Sequence, residues 1–319
     1  MTIKPIAMRD AFLEEIWQAM QKDETIFFAC ADFGSPVLDK IRADFADRFV
    51  NVGIAEQNLI NVATGLALEG YKVFAYAIAP FITMRCYEQV RVNLALLSKV
   101  RPLNVNLIGV GAGYSYVVSG PTHQCYEDIT LMRALAGMKV LSPSDHVSAK
   151  ALFKTCVEQT GPKYLRFDAQ VLPVLYEDEK QAANQTYVER HTGQKICMIA
   201  TGYMTQTAQK VRDVLAQQNI EVGLVDLFDL SQGSAAQLDS LLARYKAVVT
   251  LEEGFINCGG LDAHIGSHTA AHHPNLRLMH LGVTPNYHFE LGTRSELHDS
   301  VGLGVDTIAD KIKSLSASL

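Results

Sequence analysis

Glu56 is the residue in this sequence whose type and position best suit chemistry. Residues 49–53 have the pattern of a short buried strand followed by a glycine turn, and apolar residues then recur at helical spacing until Gly70. This pattern places Glu56 in the first turn of a helix that leaves the carboxyl end of a strand, where open α/β sheets bind ligands. Acidic residues also stabilise helix N-termini, so position alone leaves a purely structural role open.

Two other segments of the sequence carry weaker signals of function. The segment GVGAG at 109–113 resembles part of a dinucleotide-binding fingerprint but lacks the third glycine at the required spacing. His264, His268 and His272 recur every four residues on one predicted helix face, with no carboxylate or cysteine in the run. We interpret this run as a solvated helix face and predict no metal ligand in the chain.

Apolar strands alternate with amphipathic helices in the part of the chain that must position Glu56. We expect strands at 25–33, 71–79 and 105–110, and helices at 8–22 and 84–97. Such alternation is typical of a mostly parallel sheet with helices on both faces.

The alternation occurs twice along the chain. We predict a first domain at 1–176, a polar linker at 177–191 and a smaller second domain at 192–319. The predicted fold class is therefore α/β, with two doubly wound, mostly parallel-sheet domains.

Composition excludes several classes of function. The chain of 319 residues carries a formal net charge of −6, and a nucleic-acid partner would need a basic face. No run approaches the ~20 apolar residues of a membrane span, and the N-terminus has no apolar leader, so we expect a cytoplasmic protein without a membrane or nucleic-acid partner. The six cysteines lie far apart without a CxxC pair, which favours reduced, packed thiols.

Three segments together resemble one known family. GIAEQN at 53–58, FITMRCYEQVR at 81–91 and SGPTHQCYEDITLMR at 119–133 have the order and spacing found in the transketolase family. The chain is similar over essentially its whole length to the C-terminal half of such an enzyme. That half consists of a pyrimidine-binding domain followed by the family's C-terminal domain.

The resemblance implies thiamine diphosphate as cofactor. By this resemblance, Glu56 is the catalytic glutamate that hydrogen-bonds N1′ of the aminopyrimidine ring. Phe81 matches the aromatic residue that stacks on this ring, and Ile54 matches a bulky residue that supports the bent cofactor. Arg85 matches a supporting position in the same pocket, and Asp32 an acid at the cofactor and subunit interface.

The resemblance also implies substrate contacts. His123 matches a catalytic histidine that contacts the substrate near the reacting carbonyl. Arg9 and Ser35 match positions that hold the phosphate group of the substrate.

Two substrate positions depart from the family pattern. Ser119 stands where the family usually has an aspartate that reads the stereochemistry of donor hydroxyls. Ala169 stands where a phosphate-binding arginine is expected, although Arg166 lies nearby and is our candidate for that role. We therefore expect an unusual donor or acceptor, such as a modified or differently charged sugar.

The motif that binds the cofactor's diphosphate is missing. Thiamine enzymes hold the diphosphate through a metal bound at a GDG motif, and the sequence contains no GDG. The diphosphate needs a divalent cation such as Mg²⁺ with oxygen ligands. We therefore expect a separate N-terminal transketolase subunit that carries the GDG domain and most of the metal site, in an α2β2 heterotetramer.

The resemblance predicts transfer of a two-carbon ketol unit from a ketose donor to an aldose acceptor. Two other enzymatic interpretations stay open: the β subunit of a 2-oxoacid dehydrogenase-type decarboxylase, and a deoxyxylulose-phosphate synthase-like enzyme. A regulatory or scaffolding subunit that kept only the fold is a third, although the intact GIAEQ segment disfavours it. A nicotinamide-binding protein is the remote alternative.

Overall fold

The computed structural model describes residues 3–319 and contains two sheets. The first is six-stranded, entirely parallel and ordered β2-β1-β3-β4-β6-β5. Its strands are β1 (Ile26–Cys30), β2 (Phe49–Asn51), β3 (Lys72–Ile78), β4 (Asn104–Val110), β5 (Lys139–Leu141) and β6 (Lys163–Phe167). Its helices are α1 (Met8–Met20), α2 (Pro36–Asp44), α3 (Glu56–Leu68), α4 (Tyr87–Gln89), α5 (Asp128–Arg133), α6 (His146–Ala151) and α7 (Phe153–Glu158).

The second sheet is five-stranded and ordered β11-β10-β8-β9-β7, with only β7 antiparallel. Its strands are β7 (Tyr187–His191), β8 (Ile196–Ala200), β9 (Val222–Leu227), β10 (Ala247–Phe255) and β11 (Arg277–Val283). The accompanying helices are α8 (Tyr203–Ala216), α9 (Asp239–Leu242), α10 (Leu261–His272), α11 (Arg294–Ser300) and α12 (Val305–Ala317). The predicted fold class, two mostly parallel α/β units, is confirmed.

Strand β7 lies inside the stretch predicted to be a linker. Its five residues are all only partly buried, because β7 forms the edge of the second sheet, and this is why it shows no apolar run in the sequence. A short 3-10 turn at Glu179–Gln181 precedes it. The stretch 177–191 is thus partly structured, while the domain boundaries themselves stay a prediction.

The helix predicted at 84–97 has a different local structure. Two π-helical turns, Phe81–Arg85 and Val90–Leu96, flank the short helix α4. π-helical turns occur frequently at functional sites, since the wider turn changes the direction of the side chains that follow. This irregular segment begins directly beyond β3 and carries two of the predicted site residues.

Alternation along β3 divides the core of the first domain. Val73 and Ala75 face the layer of α3, where they pack in one apolar cluster with Leu59. Phe74 and Tyr76 point to the opposite face, in a second cluster with residues of α1. The alternation therefore sends the Tyr76 side chain to the α1 side of the sheet.

Parallel pairing brings the ends of four strands to one edge of the first sheet. Asp32 follows β1, Glu56 follows β2, Phe81 follows β3, and the loop that contains His123 follows β4. Because β2, β1, β3 and β4 are adjacent, residues far apart in sequence meet at this edge. All six cysteines are free, five buried and Cys258 exposed, and no helix within 3–319 is long and apolar enough to cross a membrane.

Candidate active site

Glu56 is a buried acid at the beginning of α3. Gly53, with φ of +76°, makes the left-handed turn between β2 and this helix, a conformation that glycine adopts without steric cost. The Glu56 side chain is only 3% exposed, and its Oε2 accepts a 2.6 Å hydrogen bond from Arg85 Nη1. The carboxylate is thus held at a helix N-terminus and paired with the partly exposed guanidinium of Arg85.

Arg85 connects Glu56 to an aromatic cluster. Its guanidinium lies 4.5 Å from the ring centroid of Phe81, while 43% of its side chain remains exposed. The edge of the Phe81 ring meets His123 at a centroid distance of 5.4 Å and an angle of 71°. The structure therefore brings Glu56, Arg85, Phe81 and His123 into one continuous group of contacts.

Ile54 and Asp32 border this group. Ile54 is 75% exposed beside the buried Glu56, so it presents an apolar side chain to whatever binds at the edge. Asp32 has φ of +43°, and its Oδ1 accepts a hydrogen bond from Asn51 Nδ2 at 3.2 Å. Asn51 in turn accepts from the Gly53 amide, so the acid joins the ends of β1 and β2 beside the Glu56 turn.

Arg9 and Ser35 meet at an aspartate that sequence reasoning missed. Arg9 Nε donates to Asp10 Oδ1 at 3.2 Å, and Ser35 Oγ donates to the same oxygen at 2.8 Å. Ser35 also caps α2 by accepting from the Val37 amide. The first turns of α1 and α2 are therefore held together by a polar group at the same edge of the sheet.

Two tyrosines complete this polar group. The hydroxyl groups of Tyr76 and Tyr116 are buried and have no hydrogen-bond partner within residues 3–319. Burial disfavours charge on Arg9, but the nearby Tyr76, Asp10 and Tyr116 raise its pKa above the ordinary value. Burial also opposes the charged form of Tyr116, which raises the pKa of this tyrosine to about 12. Its hydroxyl is therefore a neutral hydrogen-bond donor at pH 7.

Tyr116 joins the polar group to the aromatic cluster. Its ring packs directly on the backbone of Gly111, where an added Cβ would collide with it. The centroid of this ring lies 6.2 Å from that of His123, with the two rings nearly perpendicular. Ser119 is exposed on the same loop, and its amide donates to the Tyr116 carbonyl at 3.2 Å. The only sequence signal for Tyr116 is its place in the glycine-rich loop that ends at His123.

Arg166 is buried near the carboxyl end of β6, and the substrate-binding role expected for it stays a prediction. Its side chain is 1% exposed; Nε donates to Asp128 Oδ2 at 2.8 Å, and Nη2 donates to the Glu253 carbonyl at 2.8 Å. Arg166 follows the inward direction of β6, so it links the two domains through the interior.

A second buried arginine strengthens the same domain junction. Arg294 Nη1 donates to Asp168 Oδ2 at 2.5 Å, and Nε donates to Glu253 Oε1 at 2.8 Å. Burial opposes charge on Glu253, but Arg294 and the adjacent His298 hold its pKa below the ordinary range. The junction is therefore a paired ionic network that fixes Asp168 immediately before Ala169.

The interpretation of the histidine run as a solvated helix face is wrong for His264. His264 is buried, and its Nδ1 lies 2.8 Å from Arg133 Nη2. Arginine can only donate, so Nδ1 accepts and the proton resides on Nε2, which donates to Ser234 Oγ at 2.8 Å. Burial, together with Arg133, lowers the pKa of His264 to about 3. His268 of the same run contacts a carboxylate that is distant in sequence, that of Asp239 on α9.

The fold is that of a two-domain α/β protein, with a candidate ligand-binding edge in the first domain. Residues 4–174 match the family "Transketolase, pyrimidine binding domain", and residues 185–308 match "Transketolase, C-terminal domain". The chain therefore belongs to the transketolase family, as the sequence resemblance predicted. Membership implies a transferase-type enzyme that depends on thiamine diphosphate.

Individual relatives agree with this assignment. One subunit of an apulose-4-phosphate transketolase from Actinobacillus succinogenes is 30% identical over 273 residues, which cover 86% of this chain and 86% of the relative. A 1-deoxy-D-xylulose-5-phosphate synthase from Pseudoalteromonas translucida is 26% identical over 97% of this chain, which spans 46% of that protein. The structure of a split-gene transketolase, an inactive β4 tetramer, superposes with a TM-score of 0.84 at 27% identity and 98% coverage of each chain.

Proposed function

We propose that this chain is the C-terminal subunit of a split, thiamine diphosphate-dependent transketolase. It would act with an N-terminal subunit to transfer a two-carbon ketol unit from a ketose phosphate or modified-sugar donor to an aldose acceptor. The observation that carries the proposal is the buried Glu56 beside Phe81, Arg85 and His123, in a chain that has no GDG motif.

The residues at this edge fit the pyrimidine end of the cofactor. Glu56 offers a buried carboxyl group, Phe81 offers an aromatic face, and Ile54 offers an exposed apolar side chain beside them. The cofactor would supply the carbanion chemistry of the reaction. Mg²⁺ and the diphosphate would be held mainly by the partner subunit, because diphosphate recognition needs the oxygen ligands of the missing motif.

Glu56 would hold a proton at N1′ of the aminopyrimidine ring. Its pairing with Arg85 orients the carboxyl group at the beginning of α3 while the arginine remains partly in solvent. Arg85 can therefore move without leaving a buried unpaired cation. His123 would contact the substrate, since it joins Phe81 on one side and Tyr116 on the other.

The far end of the sugar would meet Arg9, Ser35, Tyr76 and Tyr116. The hydroxyl groups of the two tyrosines are buried without a hydrogen-bond partner within residues 3–319. A buried, unpaired hydroxyl group is energetically unfavourable, and a bound ligand could supply the missing hydrogen bond. Arg9 forms an ion pair with Asp10, so the positive charge of its guanidinium is partly neutralised. This combination suits a substrate end that carries hydroxyl groups as well as an anionic group.

Exposed apolar residues border the site and support a partner chain. Ile54, Val118 and Leu291 are each more than half exposed, at 75%, 74% and 61%. Leu291 lies beside Gly120, so the second domain contributes to the same rim. Large exposed apolar residues next to a polar cleft are typical of protein interfaces. An α2β2 assembly would cover them.

A donor-selection assay tests the proposal. The purified chain is combined with its N-terminal partner, thiamine diphosphate and Mg²⁺, and a panel of ketoses is offered with an aldose acceptor. We expect a product two carbons longer than the acceptor, detected by mass. Consumption of pyruvate, with no transfer from any ketose, would overturn the transketolase assignment in favour of a synthase-like or decarboxylase reaction, the former suggested by the synthase relative.

A further inference from the structure

The geometry points to a transition-metal site at Asp239, His268 and His273, a group we call the histidine cluster, with Zn²⁺ as the ion it suits best. The cluster lies in the second domain, where none of the proposed cofactor or substrate residues lies. Asp239 begins α9, His268 belongs to α10, and His273 directly follows that helix. The inference is independent of the proposed function.

One carboxylate oxygen organises the cluster. Asp239 Oδ1 lies 2.6 Å from His268 Nε2 and 2.8 Å from His273 Nε2. One donor atom from each of the three side chains falls within 4.8 Å of the other two.

The two imidazole rings are already positioned. The side chains of His268 and His273 are only 12% and 18% exposed, and the ring of His268 also lies 4.6 Å from that of His272. Asp239 is 49% exposed, so the open side of the cluster faces solvent. A bound ion could therefore take a water molecule as its fourth ligand.

The donor set and its dimensions select the metal. Two imidazole nitrogens and one carboxylate oxygen suit Zn²⁺, whereas Mg²⁺ prefers oxygen ligands only. Tetrahedral bonds of about 2.0–2.1 Å separate donor atoms by about 3.3 Å. A retreat of the exposed Asp239 carboxylate by less than about 1 Å would therefore lengthen its distances to the two Nε2 atoms, now 2.6 and 2.8 Å, to this separation. The imidazoles would carry their protons on Nδ1, which frees both Nε2 lone pairs.

Such an ion would join α9 to the end of α10. These elements are separated by the whole of β10 in the sequence, so the metal would add a link within the second domain. Binding to the folded state alone raises stability by mass action. We therefore assign the cluster a structural role.

Isothermal titration of untagged, chelator-treated protein with ZnCl2 tests the site. We expect one equivalent of Zn²⁺ to bind with micromolar or tighter affinity, also in excess Mg²⁺, and to raise the unfolding temperature. His268→Ala and His273→Ala should each weaken binding at least tenfold. His191→Asn, on β7 of the same domain, serves as the matched histidine control and should bind Zn²⁺ like the wild type.

Asp239→Asn separates metal binding from hydrogen bonding. The amide oxygen of asparagine can still accept from both histidines, so the metal-free protein should unfold at nearly the same temperature. Its affinity for Zn²⁺ should fall at least tenfold, because the anionic ligand is lost. Absence of saturable binding by the wild type, or binding unchanged in Asp239→Asn and both alanine variants, would overturn the site.

Discussion

Replacing Glu56 with glutamine removes the carboxyl group but keeps the size of the side chain. The glutamine oxygen can still accept the hydrogen bond that Arg85 donates to Glu56 at 2.6 Å. Because 43% of the Arg85 side chain is exposed, water can compensate its charge. We therefore expect a loss of unfolding free energy of no more than about 1 kcal/mol.

The expected effect on turnover is much larger. A glutamine cannot hold a transferable proton at the aminopyrimidine ring, and a positioned acid or base typically contributes about 10²- to 10⁴-fold to the rate. We therefore expect kcat of Glu56→Gln to fall by this factor, which corresponds to about 3–5 kcal/mol of activation free energy. The perturbation thus separates catalysis from folding.

The assay is steady-state ketol transfer by the proposed two-subunit enzyme, together with thermal unfolding of each variant. Glu69→Gln is the matched control, because Glu69 is an exposed glutamate at the opposite end of α3. Its kcat should equal that of the wild type. A Glu56→Gln enzyme that keeps more than about a tenth of the wild-type kcat would refute the role given to this residue.

Three further variants test other parts of the account. Arg294→Met leaves Asp168 buried without its cationic partner and Glu253 with only His298. Urea unfolding should show a loss of about 3–5 kcal/mol, and a loss below about 1 kcal/mol would contradict the ionic junction. The folded-state pKa of His264 is about 3, below the unfolded value of 6.5, so the unfolded state takes up the proton first. As the pH is lowered from about 6.5 to about 4.5, the free energy of unfolding of the wild type should therefore fall by about 2–3 kcal/mol more than that of His264→Asn. Parallel curves of unfolding free energy against pH for the two proteins would disprove this. Tyr116→Phe should raise KM for the sugar about threefold to tenfold with little change in kcat, and an unchanged KM would exclude a hydrogen bond from this hydroxyl to the sugar.

Local patterns predicted the frame of the candidate site. The apolar run before Gly53 and the helical spacing after it placed Glu56 at the beginning of α3. The alternation of strands and helices predicted parallel sheets, and parallel strands end at one edge. The meeting of Glu56, Phe81 and His123 follows from these two rules and the resemblance together.

Contacts between distant elements could not be predicted in this way. Tyr76 is adjacent to Arg9 only because α1 packs across β3, and Ser35 reaches Asp10 from a different helix, so no spacing within one segment indicates either contact. The helical spacing of His268 was visible in the sequence, but its partner Asp239 comes from α9. The burial of Arg166 could not be predicted either, because its distance from Ala169 in sequence says nothing about the direction of its side chain in β6.

The central claim is that this chain holds only the pyrimidine half of a shared cofactor site. Thiamine diphosphate and Mg²⁺ are titrated calorimetrically into the purified chain alone and into the chain mixed with its GDG-containing partner. The account predicts tight, saturable binding only in the mixture. Tight binding by this chain alone would contradict the account, because the diphosphate and its metal would then be held by residues of this chain.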